Sequence, residues 1–203
     1  MLGEGPAMKR VLILDSTTRS ASRTAVLMDA FCSGLDPEYV YTELVRLSEL
    51  NLKPLYGESL EERDRLLAEG NRTAERFRYA WQFRSADVIV IAAPFYDLSI
   101  PALLKDYIEN ITAEGITFSS GQDGLKGECS AGEMIFLTTR GGLVETGSPW
   151  ELATPYLKGL CGMLGIDRFA CIAADGMDVQ GIDAASRLKE ACEEAKKKAA
   201  EIR

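Results

Sequence analysis

Three short stretches carry side chains able to do chemistry, and each follows an apolar run. The first, Asp15 to Thr24, holds six hydroxyls (Ser16, Thr17, Thr18, Ser20, Ser22, Thr24) together with Arg19 and Arg23. Ser and Thr favour helix starts, so N-capping is the plain explanation. Hydroxyls, free N–H groups at a helix start, the helix dipole and two guanidinium groups also make a phosphate cradle, and the two arginines favour that reading. The loop has no G-x-G-x-x-G pattern and no Walker lysine, which disfavours dinucleotide-type and nucleoside-triphosphate cradles. The second stretch, Pro94-Phe95-Tyr96-Asp97-Leu98, sets an aromatic pair in a turn. Aromatic packing under a loop is common; beside N–H groups freed by the turn, the pair also suits a flat heteroaromatic ring that carries acceptors. The third, Thr139-Arg140-Gly141-Gly142, reads either as a Gly turn ending a strand or as a second wall of donors that backbone can approach closely.

The elements that must position these stretches alternate between apolar runs and helix-period segments. Val11 to Leu14 predicts a first strand, and Val26, Leu27, Ala30, Phe31 and Leu35 a helix after it. Val40 to Val45 predicts a second strand whose polar alternation suits a sheet edge. Leu60 to Arg84 is charged and helix-prone, with Gly70-Asn71 as an interruption. Val88 to Ala92 is apolar without alternation, as in a parallel strand buried on both faces, and an amphipathic helix opens near Pro101. Ile135 to Leu137 is the core of a fourth strand and Phe169 to Ala173 a fifth. A helix carrying Tyr156, Leu157, Leu160, Cys161 and Leu164 lies between them. The last helix ends in Lys196-Lys197-Lys198, which suits the negative end of its dipole. Ile116 to Glu133 is rich in Gly and Ser and predicts a long loop with a short hairpin. Strands alternating with helices predict an α/β, doubly wound, five-stranded parallel sheet of order 2-1-3-4-5 with helices on both faces. Its ligand crevice belongs outside the carboxyl ends of strands one and three.

Composition narrows the function. With a net charge of −8 and a pI near 4.8, the chain lacks the basic face that nucleic-acid binding needs. No apolar run approaches the ~20 residues that span a bilayer. Residues 1–7 have no signal-peptide character and read as a loose tail before a single domain over 8–203, and a cytoplasmic location is expected. The chain has no histidine. That removes the Ser-His-Asp triad, the Cys-His pair and histidine-ligated zinc. The five cysteines include no C-x-x-C, so Cys32, Cys161, Cys171 and Cys192 read as buried thiols and Cys129 as a loop thiol; no metal site is expected.

The stretch APFYDLSIPALLKDYIENITAEGITF resembles the ring loop and following helix of the FMN-dependent NADH-azoreductases and related quinone reductases, in the flavodoxin-like superfamily. Thr138-Thr139-Arg140-Gly141-Gly142 is similar to that family's S-R-G-G, and weaker similarity runs from Val11 to about Asp178. The resemblance implies a flavodoxin-like FMN-binding domain and an NAD(P)H oxidoreductase that reduces quinones or azo compounds by ping-pong hydride transfer through flavin N5, with no catalytic side chain. On that match Thr17, Arg19, Ser22, Arg23 and Thr24 surround the FMN phosphate. Pro94, Phe95, Tyr96, Asp97 and Leu98 form the ring shelf. Thr139, Arg140, Gly141 and Gly142 present donors to the pyrimidine edge, where negative charge develops on reduction. Where the family has Asn, this chain has Asp97; an ionised carboxylate cannot donate, so Asp97 acts through its backbone or turns away. Trp150 and the Gly-rich Gly141 to Pro149 segment read either as pocket walls or as a surface cap on the next helix. Ala174 to Asp178 is expected to be structural.

NADH or NADPH is the implied donor, and a homodimer with shared active sites is the implied assembly. Leu50 to Gly70 departs most from the family, with Arg63 and Arg65 as candidate contacts for substrate anions. Rival uses of the same architecture are a flavin or ferric-chelate reductase, a non-enzymatic flavodoxin-like electron carrier, and a flavin-free binding module. The long helical segment before the third strand and the Ile116 to Glu133 loop favour an enzyme with a substrate pocket.

Overall fold

The computed structural model describes residues 8–203, and the expected tail at 1–7 lies outside the described residues. A parallel sheet is built from β1 (Lys9–Asp15), β2 (Val40–Arg46), β3 (Val88–Ala92), β6 (Glu133–Thr139) and β7 (Arg168–Ala174), in the order β2-β1-β3-β6-β7. Counting only these strands, this is the expected order 2-1-3-4-5. The remaining strands, β4 (Phe118–Gly121) and β5 (Gly124–Gly127), pair as an antiparallel hairpin within the long loop. The helices are α1 (Arg23–Ser33), α2 (Glu58–Ala68), α3 (Arg78–Arg84), α4 (Ala102–Ile111), α5 (Ala153–Leu164) and α6 (Ala184–Ala200).

Side-chain alternation along the central strands divides the core into two layers. Leu12, Leu14, Ile89, Ile91, Met134 and Phe136 pack with Leu104, Tyr107, Ile108, Leu157 and Leu164, beneath α3, α4 and α5. Val11, Ile13, Val88, Val90, Ile135 and Leu137 pack with Leu27, Phe31, Ala195 and Ala199, beneath α1 and α6. All five residues of β3 are buried, which explains why that run lacks polar alternation. β2 lies at the edge and buries only Val40 fully.

The segment Leu60 to Arg84 breaks further than expected. α2 ends at Ala68, Gly70 takes φ +72°, and a 3₁₀ turn at Glu75–Phe77 leads into α3. Phe77 is buried, whereas Trp81 is half-exposed and donates its indole N–H to the Arg72 carbonyl at 2.7 Å. The hairpin rests on the C-terminal end of α5. The Cys129 amide donates to the Leu164 carbonyl at 3.2 Å, which occupies one of the carbonyls a helix end leaves free.

Candidate functional site

The three chemistry-bearing stretches sit at the carboxyl ends of β1, β3 and β6, on one rim of the sheet, because all five strands of that sheet are parallel. They enclose a cavity of about 280 Å³. From the first stretch Arg19, Ser22, Arg23 and Thr24 line it; from the second, Pro94, Phe95 and Tyr96; from the third, Thr139, Arg140 and Gly141. Thr17, Asp97, Leu98 and Gly142 stand outside that lining.

Local structure explains each position. Ser22 is the N-cap of α1, and its hydroxyl accepts from the Ala25 amide at 3.1 Å. The amides of Arg23 and Thr24 precede the first intrahelical bond, so they and the dipole face the cavity end of the helix. Thr24 is buried, and its hydroxyl meets that of Thr139 at 2.7 Å, which joins the first stretch to the third. Thr17 is turned back: its amide and its hydroxyl both donate to Asp15 Oδ1, at 2.8 and 2.7 Å. Arg19 lies 5.8 Å from the Tyr96 ring centroid, so cradle and aromatic shelf touch.

Asp97 and Leu98 both have positive φ, 48° and 67°. Tyr96 and Ser99 exchange two backbone hydrogen bonds, at 3.0 and 2.8 Å, around this tight turn. Asp tolerates the left-handed region, but Leu in that conformation is strained, and such strain gathers at functional sites. Asp97 instead lines a neighbouring hollow of about 560 Å³ that shares Tyr96 with the first cavity. Leu98 is exposed at the rim.

Arg140 lines the cavity, but its guanidinium does not serve it. The side chain is 1% exposed and donates through Nη1 to the Val144 carbonyl at 2.6 Å. Trp150 is exposed and lies outside the cavity lining. Arg65 pairs with Glu69 on the outer face of α2, and Arg63 lines an apolar groove between α2, α4 and α5.

Two residues expected to be structural also line the cavity. Met177 and Asp178, beyond the carboxyl end of β7, complete the lining. The amides of Gly176, Met177 and Asp178 donate to the carbonyls of Gly142, Arg140 and Gly141, at 2.8, 3.0 and 2.9 Å, which brings the two loops side by side. A Cβ at Gly141 would lie 2.6 Å from Asp178 Oδ2, so a larger residue there would push the Asp178 carboxylate aside. Asp178 also pairs with Arg23 across the mouth. Thr18 and Ala21 join the lining from the first stretch. The rule that ligands sit beyond strand carboxyl ends was the available signal for all of these.

The donor set suits a phosphate joined to an aromatic ring. Arg19, Arg23 and the start of α1 share the cavity with Phe95 and Tyr96, and Arg19 bridges the two sets. Ser16, fully buried at the end of β1, has a hydroxyl with no partner among the described residues, which fits a site that presents further donors. The same residues 9–199 match the family model described as a flavodoxin-like fold. An FMN-dependent NADH:quinone oxidoreductase of Lachnoclostridium phytofermentans is 33% identical over 193 residues, covering 93% of this chain and 96% of that protein.

The chain belongs to this flavodoxin-like quinone oxidoreductase family.

A second member, the FMN-dependent NADH:quinone oxidoreductase of Clostridium beijerinckii, is 33% identical and covers 95% of this chain and 98% of its own length. Among solved structures, an azoreductase from Bacillus anthracis str. Sterne superposes with a TM-score of 0.83 at 22% identity, covering 96% of this chain and all of that one. The FMN-dependent NADH-azoreductase from Bacillus anthracis str. Ames Ancestor, in complex with FMN, superposes with a TM-score of 0.79 at 22% identity, covering 95% and 98%. At that identity the superpositions establish the shared fold of this flavodoxin-like family member.

Proposed function

We propose that this family member is an FMN-dependent oxidoreductase that uses NADH or NADPH to reduce quinones or azo compounds, with residues 8–203 acting as one FMN-binding domain. The observation that carries the reading is the meeting of Arg19 and Arg23, at the start of α1, with Phe95 and Tyr96, beyond β3, in one cavity.

When bound, FMN supplies the two-electron chemistry between nicotinamide and acceptor. The chain's residues hold and orient. Arg19, Arg23 and the first-turn amides of α1 take the phosphate, where two positive charges and a helix dipole meet a dianion. Phe95 and Tyr96 offer an aromatic face, and the Gly141 amide offers a donor to a ring edge that gains negative charge, the Arg140 amide being already given to the Ala174 carbonyl. Leu98 and Leu152, exposed and joined by a backbone hydrogen bond, give an apolar patch beside the Phe95–Tyr96 turn. No side-chain acid is obligatory, since solvent can supply the protons.

The assembly read with this function is a homodimer. An apolar groove of about 640 Å³ between α2, α4 and α5, lined by Leu55, Leu60, Ile108, Pro155, Leu160 and Met163, supports it as a surface for a second copy. Sedimentation that finds only monomer at micromolar concentration overturns the dimer. No helix among the described residues is long and apolar enough to cross a membrane. A cytoplasmic location accords with a nicotinamide donor, and fractionation checks it.

The test of function is direct. The purified protein, incubated with FMN and dialysed, should retain the flavin and oxidise NADH when a quinone is added. Protein that stays colourless after incubation refutes the reading.

A further inference from the structure

We propose that Arg140 and Glu151 are positioning residues, a buried ion pair that holds the 141–152 loop against the aromatic shelf and so sets the geometry of the ring site. The proposal rests on the FMN reading above.

The 141–152 loop contains neither helix nor strand, and it continues directly from Thr139, Arg140 and Gly141, which line the cavity with Phe95. Backbone bonds fix its two ends, at Gly141 and Gly142 and at Leu152, and side chains reach its middle. Arg140 is 1% exposed and Glu151 not at all, with Nη2 3.9 Å from Oε1. Arg140 Nη1 donates to the Val144 carbonyl at 2.6 Å. Glu151 accepts from the Gly147 amide at 3.3 Å and from the Thr154 amide at 2.9 Å. The pair therefore ties the middle of the loop to the end of β6 and to the first turn of α5.

Two further contacts reach the aromatic shelf. The Arg140 guanidinium carbon lies 5.6 Å from the Phe95 ring centroid. The Leu152 amide, next to Glu151, donates to the Leu98 carbonyl at 2.8 Å, which clips the loop to the strained turn. Burial pushes the Glu151 carboxyl up, but the hydrogen bonds from Thr154 and Gly147 and the charge of Arg140 outweigh it and hold the group below its ordinary value. The carboxylate thus persists at neutral pH. A buried pair of this kind adds little stability over an apolar replacement, because desolvation offsets the attraction. What it supplies here is a fixed loop.

The experiment compares the FMN-loaded wild type, Glu151→Gln, and the double variant Arg140→Met with Glu151→Gln. Glu151→Gln leaves a buried guanidinium without its counter-charge and lowers the melting temperature. The double variant removes both charges and recovers the melting temperature. A structural role alone then predicts wild-type behaviour. A positioning role predicts that the double variant still fails. Its FMN dissociation constant rises about tenfold, kcat with a quinone falls about tenfold, and the visible circular dichroism of bound FMN changes. Chymotrypsin cuts faster at Leu143 and Trp150 in the loop. A double variant that matches wild type in dissociation constant, dichroism and cleavage overturns the proposal and leaves the FMN function intact. Wild type that takes up no FMN overturns the function, while the cleavage comparison still judges the loop. Should the double variant not fold, Glu151→Asp decides: it keeps both charges but shortens the reach. A changed flavin dichroism at a melting temperature within about 2 °C of wild type supports positioning, and an unchanged spectrum overturns it.

Discussion

Arg23 Nη2 lies 2.6 Å from Asp178 Oδ1, so a carboxylate from the loop after β7 holds one of the two cations at the mouth of the phosphate cradle. An incoming phosphate must share or take that cation. Asp178→Asn removes a like charge and should lower the FMN dissociation constant about threefold at low ionic strength, because exposed pairs are worth only ~0.2–1 kcal/mol. The gain should shrink in 0.5 M NaCl through screening. Arg23→Ala should raise the constant about tenfold, the worth of a hydrogen bond to a charged group. Flavin fluorescence titrations measure both, and weaker binding by Asp178→Asn would show that the carboxylate helps to build the cradle.

Leu98 carries a left-handed backbone at φ 67°. That conformation costs an ordinary residue ~1–2 kcal/mol, against ~0.5–1 kcal/mol of extra chain entropy for glycine. Leu98→Gly should therefore raise the melting temperature by about 2 °C. It also removes part of the apolar patch beside the Phe95–Tyr96 turn, so KM for a quinone should rise. A drop of several degrees would show that Leu98 contributes more by packing than it loses by strain.

Gly127 touches the C-terminal end of α5 so closely that a Cβ would lie 2.0 Å from Gly165 N and from Leu164 C. Both are backbone atoms and cannot rotate aside. Gly127→Ala should cost about 3 kcal/mol or more and lower the melting temperature by about 6–12 °C. Calorimetry checks this. A near-native melting temperature would mean that the hairpin lifts from the helix at little cost.

Burial raises the thiol of Cys161 from its ordinary 9.0 to about 11, and that of Cys129 to about 12. The neutral thiol is favoured in the fold, so this contribution is whole below pH 9 and is lost as pH rises toward 11. The melting temperature should fall between pH 8 and pH 10.5, and fall less steeply in Cys161→Ala. Equal slopes would remove Cys161 as a cause. The same burial predicts slow labelling of native protein by thiol reagents at pH 8 and full labelling once it is unfolded.

The sheet was legible because its signals are local. The unbroken apolar run at Val88 to Ala92 marks a central strand, and the alternation at Val40 to Val45 marks an edge. Gly70 announced a break, but not that α3 would wait until Arg78, since a 3₁₀ turn depends on where Phe77 finds its buried place. In the site, ten of the fourteen expected residues meet in one cavity, because strand carboxyl ends share a rim. Thr17 fell outside because its hydroxyl had a nearer acceptor in Asp15. Met177 and Asp178 were missed because their role arises from pairing with Gly141 and Arg140, some 37 residues earlier in the chain, and no local pattern records that pairing.

By itself, the order of residues determined the strands, their parallel course, the absence of imidazole chemistry and the rim on which a ligand must sit. These follow from periodicity and residue type, which act over a few neighbours. Only the tertiary structure decided which way each polar side chain faces. It turned Arg140 inward to Glu151 and set Asp178 against Arg23. Those choices depend on charges and carbonyls brought together from distant parts of the chain, and burial makes each of them costly to reverse.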